Sequence, residues 1–180
     1  MGHYWTMPII PDTKNWTWVG GRPCPECGFD ATTFTEREVA DMVRANAAAW
    51  PAVLHRADVR VRPDDGTWSP LEYGAHVRDV FRIFRTRLAL MLDQDDPVYA
   101  NWDQDETAVE GRYNEQDPAT VARELVESAA ALADAFDAVP DDCWGRPGRR
   151  GDGAEFTIAS FAVYLAHDPT HHLWDVRARR

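Results

Sequence analysis

The sequence predicts an all-α fold: a four-helix bundle with up-down-down-up topology and a long crossover between its second and third helices. Three observations carry this. Four segments repeat apolar residues every three or four positions, the period of an amphipathic helix. No alternating strand pattern of useful length appears, and the best candidate, Ala57 to Pro63, is short and stands alone. The link between the second and third periodic segments, Asp93 to Asp117, runs for about 25 residues, against roughly two to eight between antiparallel neighbours. A link that long can return along the bundle and leave the second and third helices parallel.

The first 35 residues read as an irregular arm, rich in Trp, Gly and Pro, and residues 36–180 as the bundle. The first helix is expected from about Glu36 to His55, with Val39, Val43, Ala47, Trp50 and Leu54 on one face. Thr35 and Glu38 have capping-box spacing, and Pro51 is expected to kink or shorten the last turn. The second helix starts at Pro70, with Ser69 as cap and Glu72 closing a capping box. Its stripe is Val77, Val80, Phe81, Phe84, Leu88, Met91 and Leu92. Asp117 and Pro118 open the third helix, which carries Val121, Leu125, Leu132, Phe136 and Val139. The fourth runs from about Ile158 to Val176, capped by Thr157. Long links of the kind seen at Asp93–Asp117 and Pro140–Phe156 often shape a site, although the stretch Asn101 to Glu106 reads first as a solvated acidic loop.

At 180 residues the chain suits one domain with one core. The formal net charge of −11 argues against nucleic acid and anionic membrane as partners. No apolar run approaches the ~20 residues that span a bilayer. Three cysteines and no recognisable secretory start point away from a disulfide scaffold and toward the cytoplasm. Eight tryptophans are read mainly as core.

His167 and His171 stand four residues apart, a spacing that puts two imidazoles on one helix face, one turn apart. His76, at the edge of the second helix's stripe, can point into the bundle. It lies about 10 Å along the axis from Ser69, and the other two lie about 7–14 Å from Val176, at 1.5 Å per residue. With the second and fourth helices antiparallel, all three stand at about one height. Three imidazoles with an open position is the pattern of a catalytic metal site. Pairs of histidines at this spacing also arise by chance. His172 points about 100° away from His171 and reads as a neighbour of the site or an exposed residue. His3 and His55 read as surface residues. Pro169 leaves two outcomes open, a helix that stops near Ala166 or one that continues with a kink.

Thr67 to Val80, "TWSPLEYGAHVRDV", resembles the second-helix signature of the DinB/YfiT-like superfamily, a Trp-Ser-x-x-Glu start followed by a metal-binding histidine. His167 to Val176, "HDPTHHLWDV", is similar to that superfamily's fourth-helix motif, and the likeness extends over roughly Glu36 to Val176. The resemblance implies one divalent metal, zinc or nickel, on His76, His167 and His171, and often a homodimer. The superfamily is similar to the metal-binding domain of mycothiol-dependent maleylpyruvate isomerase and to thiol S-transferases. It therefore implies a metal-dependent enzyme, performing thiol transfer or hydrolysis on a small electrophilic substrate, with a low-molecular-weight thiol as potential co-substrate. Pro169 departs from the pattern.

A divalent ion on neutral imidazoles can lower the pKa of a ligated water or thiol. Tyr73, Asp79, Asp168, His172 and the Trp102–Asp105 loop are the candidates to support such a site; no side-chain base stands out. Cys24 and Cys27 resemble half of a zinc knuckle. They can bind zinc with help from Cys143 or a histidine, form a redox pair, or do nothing chemical. The alternative to an enzyme is a non-catalytic bundle that binds a small molecule or a protein, with a structural or vestigial metal site.

Overall fold

The structure is a computed structural model and describes residues 16–178; the reading of the N-terminal start and of His3 falls outside them. Four long helices, α1 (Val39–Leu54), α2 (Pro70–Asp93), α4 (Pro118–Asp137) and α5 (Ile158–Ala178), form the bundle, and a short α3 (Gln104–Glu110) lies in the crossover.

Side-chain contacts fix the helix directions. Arg82 of α2 reaches Glu124 and Ser128 of α4, and Arg78 also reaches Glu124, so α2 and α4 run parallel. Arg44, near the start of α1, bonds Asp134 and Asp137 at the end of α4 at 2.8 and 2.6 Å, so that pair is antiparallel. Phe84 of α2 stacks on Phe161 of α5 while Tyr73 meets His172, which makes α2 and α5 antiparallel. Asn46 meets Pro169 and Arg56 meets Val176, so α1 and α5 are parallel. The result is up-down-down-up. Its core is built from the expected stripes: Val43, Ala47 and Trp50 of α1, Val77, Phe81 and Leu88 of α2, Val121, Leu125 and Leu132 of α4, and Phe161 and Leu165 of α5 are all buried.

Three expectations change. Thr35 and Glu38 do cap the entry to α1, but around a 3-10 turn, Glu36–Glu38, rather than an α-helical one. Pro51 does not shorten α1, which continues to Leu54. The acidic crossover is not simply a solvated loop. Asp103 accepts the backbone N–H groups of Asp105 and Glu106 at 3.0 and 2.9 Å and so caps α3. The links also pair into a small sheet that periodicity does not reveal. β1 (Val98–Tyr99) runs parallel to β2 (Pro147–Arg150), which is antiparallel to β3 (Glu155–Thr157). These strands are two to four residues long, too short for an alternating pattern to register. Gly148 is required there, because a Cβ would lie 2.7 Å from Met91 Cγ of α2.

Buried polar side chains tie the links to the bundle. Tyr113, in the crossover, donates to Asp79 Oδ2 at 2.6 Å, and Arg78 grips the same carboxylate. Burial alone would raise the Asp79 carboxyl, but the Arg78 and Tyr113 hydrogen bonds hold it below the usual carboxylate range. A carboxyl held low in the folded state contributes stability above its unfolded pKa of about 3.9, and that contribution is lost as pH falls through the folded value. Urea midpoints measured from pH 6 to pH 3 are therefore expected to fall less steeply for Asp79→Asn than for the unmodified chain.

Asn46 links α1 to α5. Its Nδ2 donates to Pro169 O at 2.7 Å while its Oδ1 accepts from Trp50 Nε1 at 3.0 Å. Asn46→Ala leaves a buried indole N–H unsatisfied and is expected to cost about 1–3 kcal/mol in denaturant titrations. Among the described residues no helix is long and apolar enough to cross a membrane.

Candidate metal centre

Helix α5 passes through Pro169 without a break. Proline has no N–H, so the Leu165 carbonyl loses its helical donor. The next turn is held by Thr170 Oγ1, which donates to Ala166 O at 2.6 Å. Because the helix continues, two i, i+4 pairs are interleaved on it: His167 with His171, and Asp168 with His172. Offset by one residue, they point about 100° apart, to two sides of α5.

Asp168 and His172 face α2, where they meet His76. One ligand atom from each of these three residues lies within 4.8 Å of the others. Asp168 Oδ1 is 3.5 Å from His76 Nε2 and 3.7 Å from His172 Nε2. His76 is fully buried; neither of its ring nitrogens has a hydrogen-bond partner, and nor does Asp168 Oδ1. Burial pushes His76 below its ordinary pKa, against the opposing pull of Asp168. Burial opposes ionisation of Asp168, but the neighbouring His172 and His76 outweigh it and hold this carboxyl well below the usual range. Two imidazoles and one carboxylate, converging where both His76 nitrogens and Asp168 Oδ1 are buried without hydrogen-bond partners, fit a divalent cation.

The surroundings orient these donors. His172 Nδ1 lies 3.2 Å from Asp175 Oδ2, which leaves Nε2 for the cluster. A carboxylate behind a histidine ligand fixes its tautomer and ring orientation. Trp102 stacks parallel on His76, with ring centroids 5.1 Å apart and planes 4° apart. It is held there by its Nε1, which donates to Thr107 Oγ1 of α3 at 2.7 Å. Trp68 packs on His76 from the other link, and Tyr73 lies against His172. Trp68 and Trp102 thus come from the loops, Tyr73 from α2, and the donors from two antiparallel helices.

His167 and His171 turn away from His76 toward the N-terminal arm. There they meet Cys24 and Cys27, and one ligand atom from each of the four lies within 4.8 Å of the others. The three expected ligands are therefore not brought into one cluster. The physical reason is the 100° step along α5: only residues in register with Asp168 and His172 face α2. His172, read as a neighbour of the site, is inside it, and so is Asp168. Tyr73 lines it. Asp79, read as a support, instead binds Tyr113 and the arginines. His55 is exposed, as expected. Cys143 lies outside both clusters among the described residues. The Trp102–Asp105 loop, a candidate to supply a base, instead contributes the Trp102 ring. Asp175 was not legible as a site residue, although it stands at i+3 from His172 and Asp168 at i−4, spacings that mark neighbours on a helix face.

A family model described as the DinB superfamily matches residues 40–176. No curated protein matches the chain. Among solved structures, the chain is similar to YfiT from Bacillus subtilis, described as a probable metal-dependent hydrolase with an unusual four-helix bundle topology. The TM-score is 0.69 at 18% identity, over 80% of this chain and 83% of that one. This likeness concerns the fold. Together with the family match, which spans all four bundle helices, it carries one conclusion: the chain belongs to the DinB superfamily.

Proposed function

We propose that the chain is a metal-dependent enzyme that adds water or a low-molecular-weight thiol to a small electrophilic substrate, with His76, Asp168 and His172 holding the metal. The observation that carries this reading is the convergence of Asp168 and His172, both part-buried, on the fully buried His76, with both nitrogens of His76 and Oδ1 of Asp168 lacking other partners. A divalent ion there supplies Lewis-acid polarisation and lowers the pKa of a ligated water or thiol. Zinc and nickel both suit imidazole donors. With one carboxylate replacing a third imidazole, the centre carries one positive charge fewer than the expected three-histidine set. The description of YfiT as a probable metal-dependent hydrolase agrees with this chemistry.

The chain's own side chains hold, orient and exclude. Asp175 holds His172 through Nδ1. Trp102, Trp68 and Tyr73 bound the cluster with apolar surface and limit its exposure to bulk water, and lower local polarity strengthens electrostatic interactions inside. Asp175→Asn keeps the shape and removes the charge. It is expected to weaken metal affinity at this centre by about 10–100-fold in chelator competition, the usual effect of losing a carboxylate behind a histidine ligand.

The enzymatic reading is tested by turnover. The zinc- and nickel-loaded chain is assayed for hydrolysis of p-nitrophenyl acetate and for thiol conjugation of 1-chloro-2,4-dinitrobenzene. Metal-dependent turnover that disappears in His76→Ala is expected. Metal binding at this centre without turnover across a broad panel of small electrophiles would favour a binding module instead.

A further inference from the structure

We propose that Cys24, Cys27, His167 and His171 form a second metal site, a closed tetrahedral zinc site that fastens the N-terminal arm to α5. The four residues supply one ligand atom each, all within 4.8 Å of one another. Zinc bonds of about 2.0–2.3 Å imply ligand separations of about 3.3–3.8 Å around a tetrahedron. Cys24 Sγ and His171 Nδ1 already stand 3.7 Å apart. The site is interior: Cys24, His167 and His171 are buried, and His167 Nε2 has no hydrogen-bond partner.

The local backbone presents both thiols together. Cys24 N–H donates to Phe29 O at 2.8 Å, and Gly28 N–H donates to Cys24 O at 3.0 Å. Gly28 adopts φ 74°, a left-handed conformation that glycine takes without strain and that lets the chain turn back directly after Cys27. Trp16 covers the rings of His167 and His171, with centroids 5.0 Å away in each case, and Phe29 meets His167 edge-on at 5.2 Å. Behind His171, Nε2 faces Glu26 Oε2 and Asp175 Oδ2, each at 3.8 Å, the arrangement in which a ligating imidazole gives its other N–H to a carboxylate.

Chemistry separates this site from the first. Two thiolates and two imidazoles satisfy all four positions of zinc, and such closed sets are structural. The thiolates also neutralise the ion, so a buried complex carries no net charge. Thiolate donors favour zinc over magnesium or calcium. A disulfide between Cys24 and Cys27 would give the two converging imidazoles no role. The arm also needs a fastening, since from Trp16 to Phe34 its regular structure is two 3-10 turns, Thr17–Gly20 and Ala31–Thr33.

The experiment uses the full chain. His76→Ala/His172→Ala removes ligands of the first centre only, and zinc-edge X-ray absorption on it is expected to report two sulfur and two nitrogen neighbours at about 2.3 and 2.0–2.1 Å. Cys24→Ser/Cys27→Ser is expected to lose about one zinc per chain relative to the unmodified protein, with a lower melting temperature. In case the cysteine variant does not fold, the unmodified chain is grown with cobalt, and sulfur-to-cobalt charge-transfer absorption is expected. A zinc shell without sulfur, an undiminished zinc content in a folded cysteine variant, or a cobalt protein without that absorption would overturn the proposal. So would a Cys24–Cys27 disulfide in protein prepared without oxygen.

Discussion

His76→Ala is expected to remove the ion from the first centre and to lower metal-dependent turnover by at least about 100-fold, the upper end of what loss of a mere supporting group costs. The imidazole is fully buried and contacts Asp168, His172, Trp68 and Trp102, so no other described residue stands ready to replace it. Its removal leaves Asp168 and His172, both on α5, as donors from one helix only. Chelator competition with zinc separates loss of metal from loss of chemistry. His167→Ala is the informative contrast. Its ring faces the cysteines, so the first centre's affinity and turnover should survive. If His167→Ala abolishes turnover while the first centre remains loaded, the division of α5 into two faces is wrong.

Glu72→Ala is expected to cost about 1–3 kcal/mol of stability, the range for leaving the partners of a buried hydrogen-bonding group unsatisfied. The Glu72 side chain is 4% exposed and holds several partners. It accepts from Arg62 through both carboxylate oxygens, from the Ser69 backbone N–H at 2.9 Å, and from Asn114 Nδ2 at 3.2 Å. One carboxylate thus closes the α2 capping box and ties the links before α2 and before α4 to it. Alanine would leave the buried Ser69 N–H without its acceptor and the part-exposed Arg62 guanidinium without its carboxylate. Glu72→Gln keeps the shape and part of the hydrogen bonding and should lose less. Urea titrations of both variants check the order and the size of the effect.

The fold was legible because long helices write their period into the chain. The stripes of α1, α2, α4 and α5, the caps at Ser69 and Asp117, and the long crossover together gave the topology. The sheet was not legible, because its strands are two to four residues long and one pairing is between distant links. The candidate site was half legible. Spacing singled out His76 and the histidines of α5, and height along the bundle placed them together. Height does not fix azimuth, however. A one-residue change in register rotates a side chain by about 100° on a helix, and that step exchanges His167 and His171 for Asp168 and His172. The arm could not be placed from its own residues, since it has no periodicity to orient it, so Cys24 and Cys27 could not be matched to their partners. Trp102 reaches His76 only because Asp103 caps α3 and Thr107 holds the indole, a tertiary consequence of a stretch that reads as acidic loop.

The central claim is that α5 presents Asp168 and His172, rather than His167 and His171, to His76. Diffraction from zinc-loaded crystals, recorded on both sides of the zinc absorption edge, tests it most directly. An anomalous peak bonded to His76, Asp168 and His172 is the expected result. A peak bonded to His76, His167 and His171, or no peak beside His76, would contradict it.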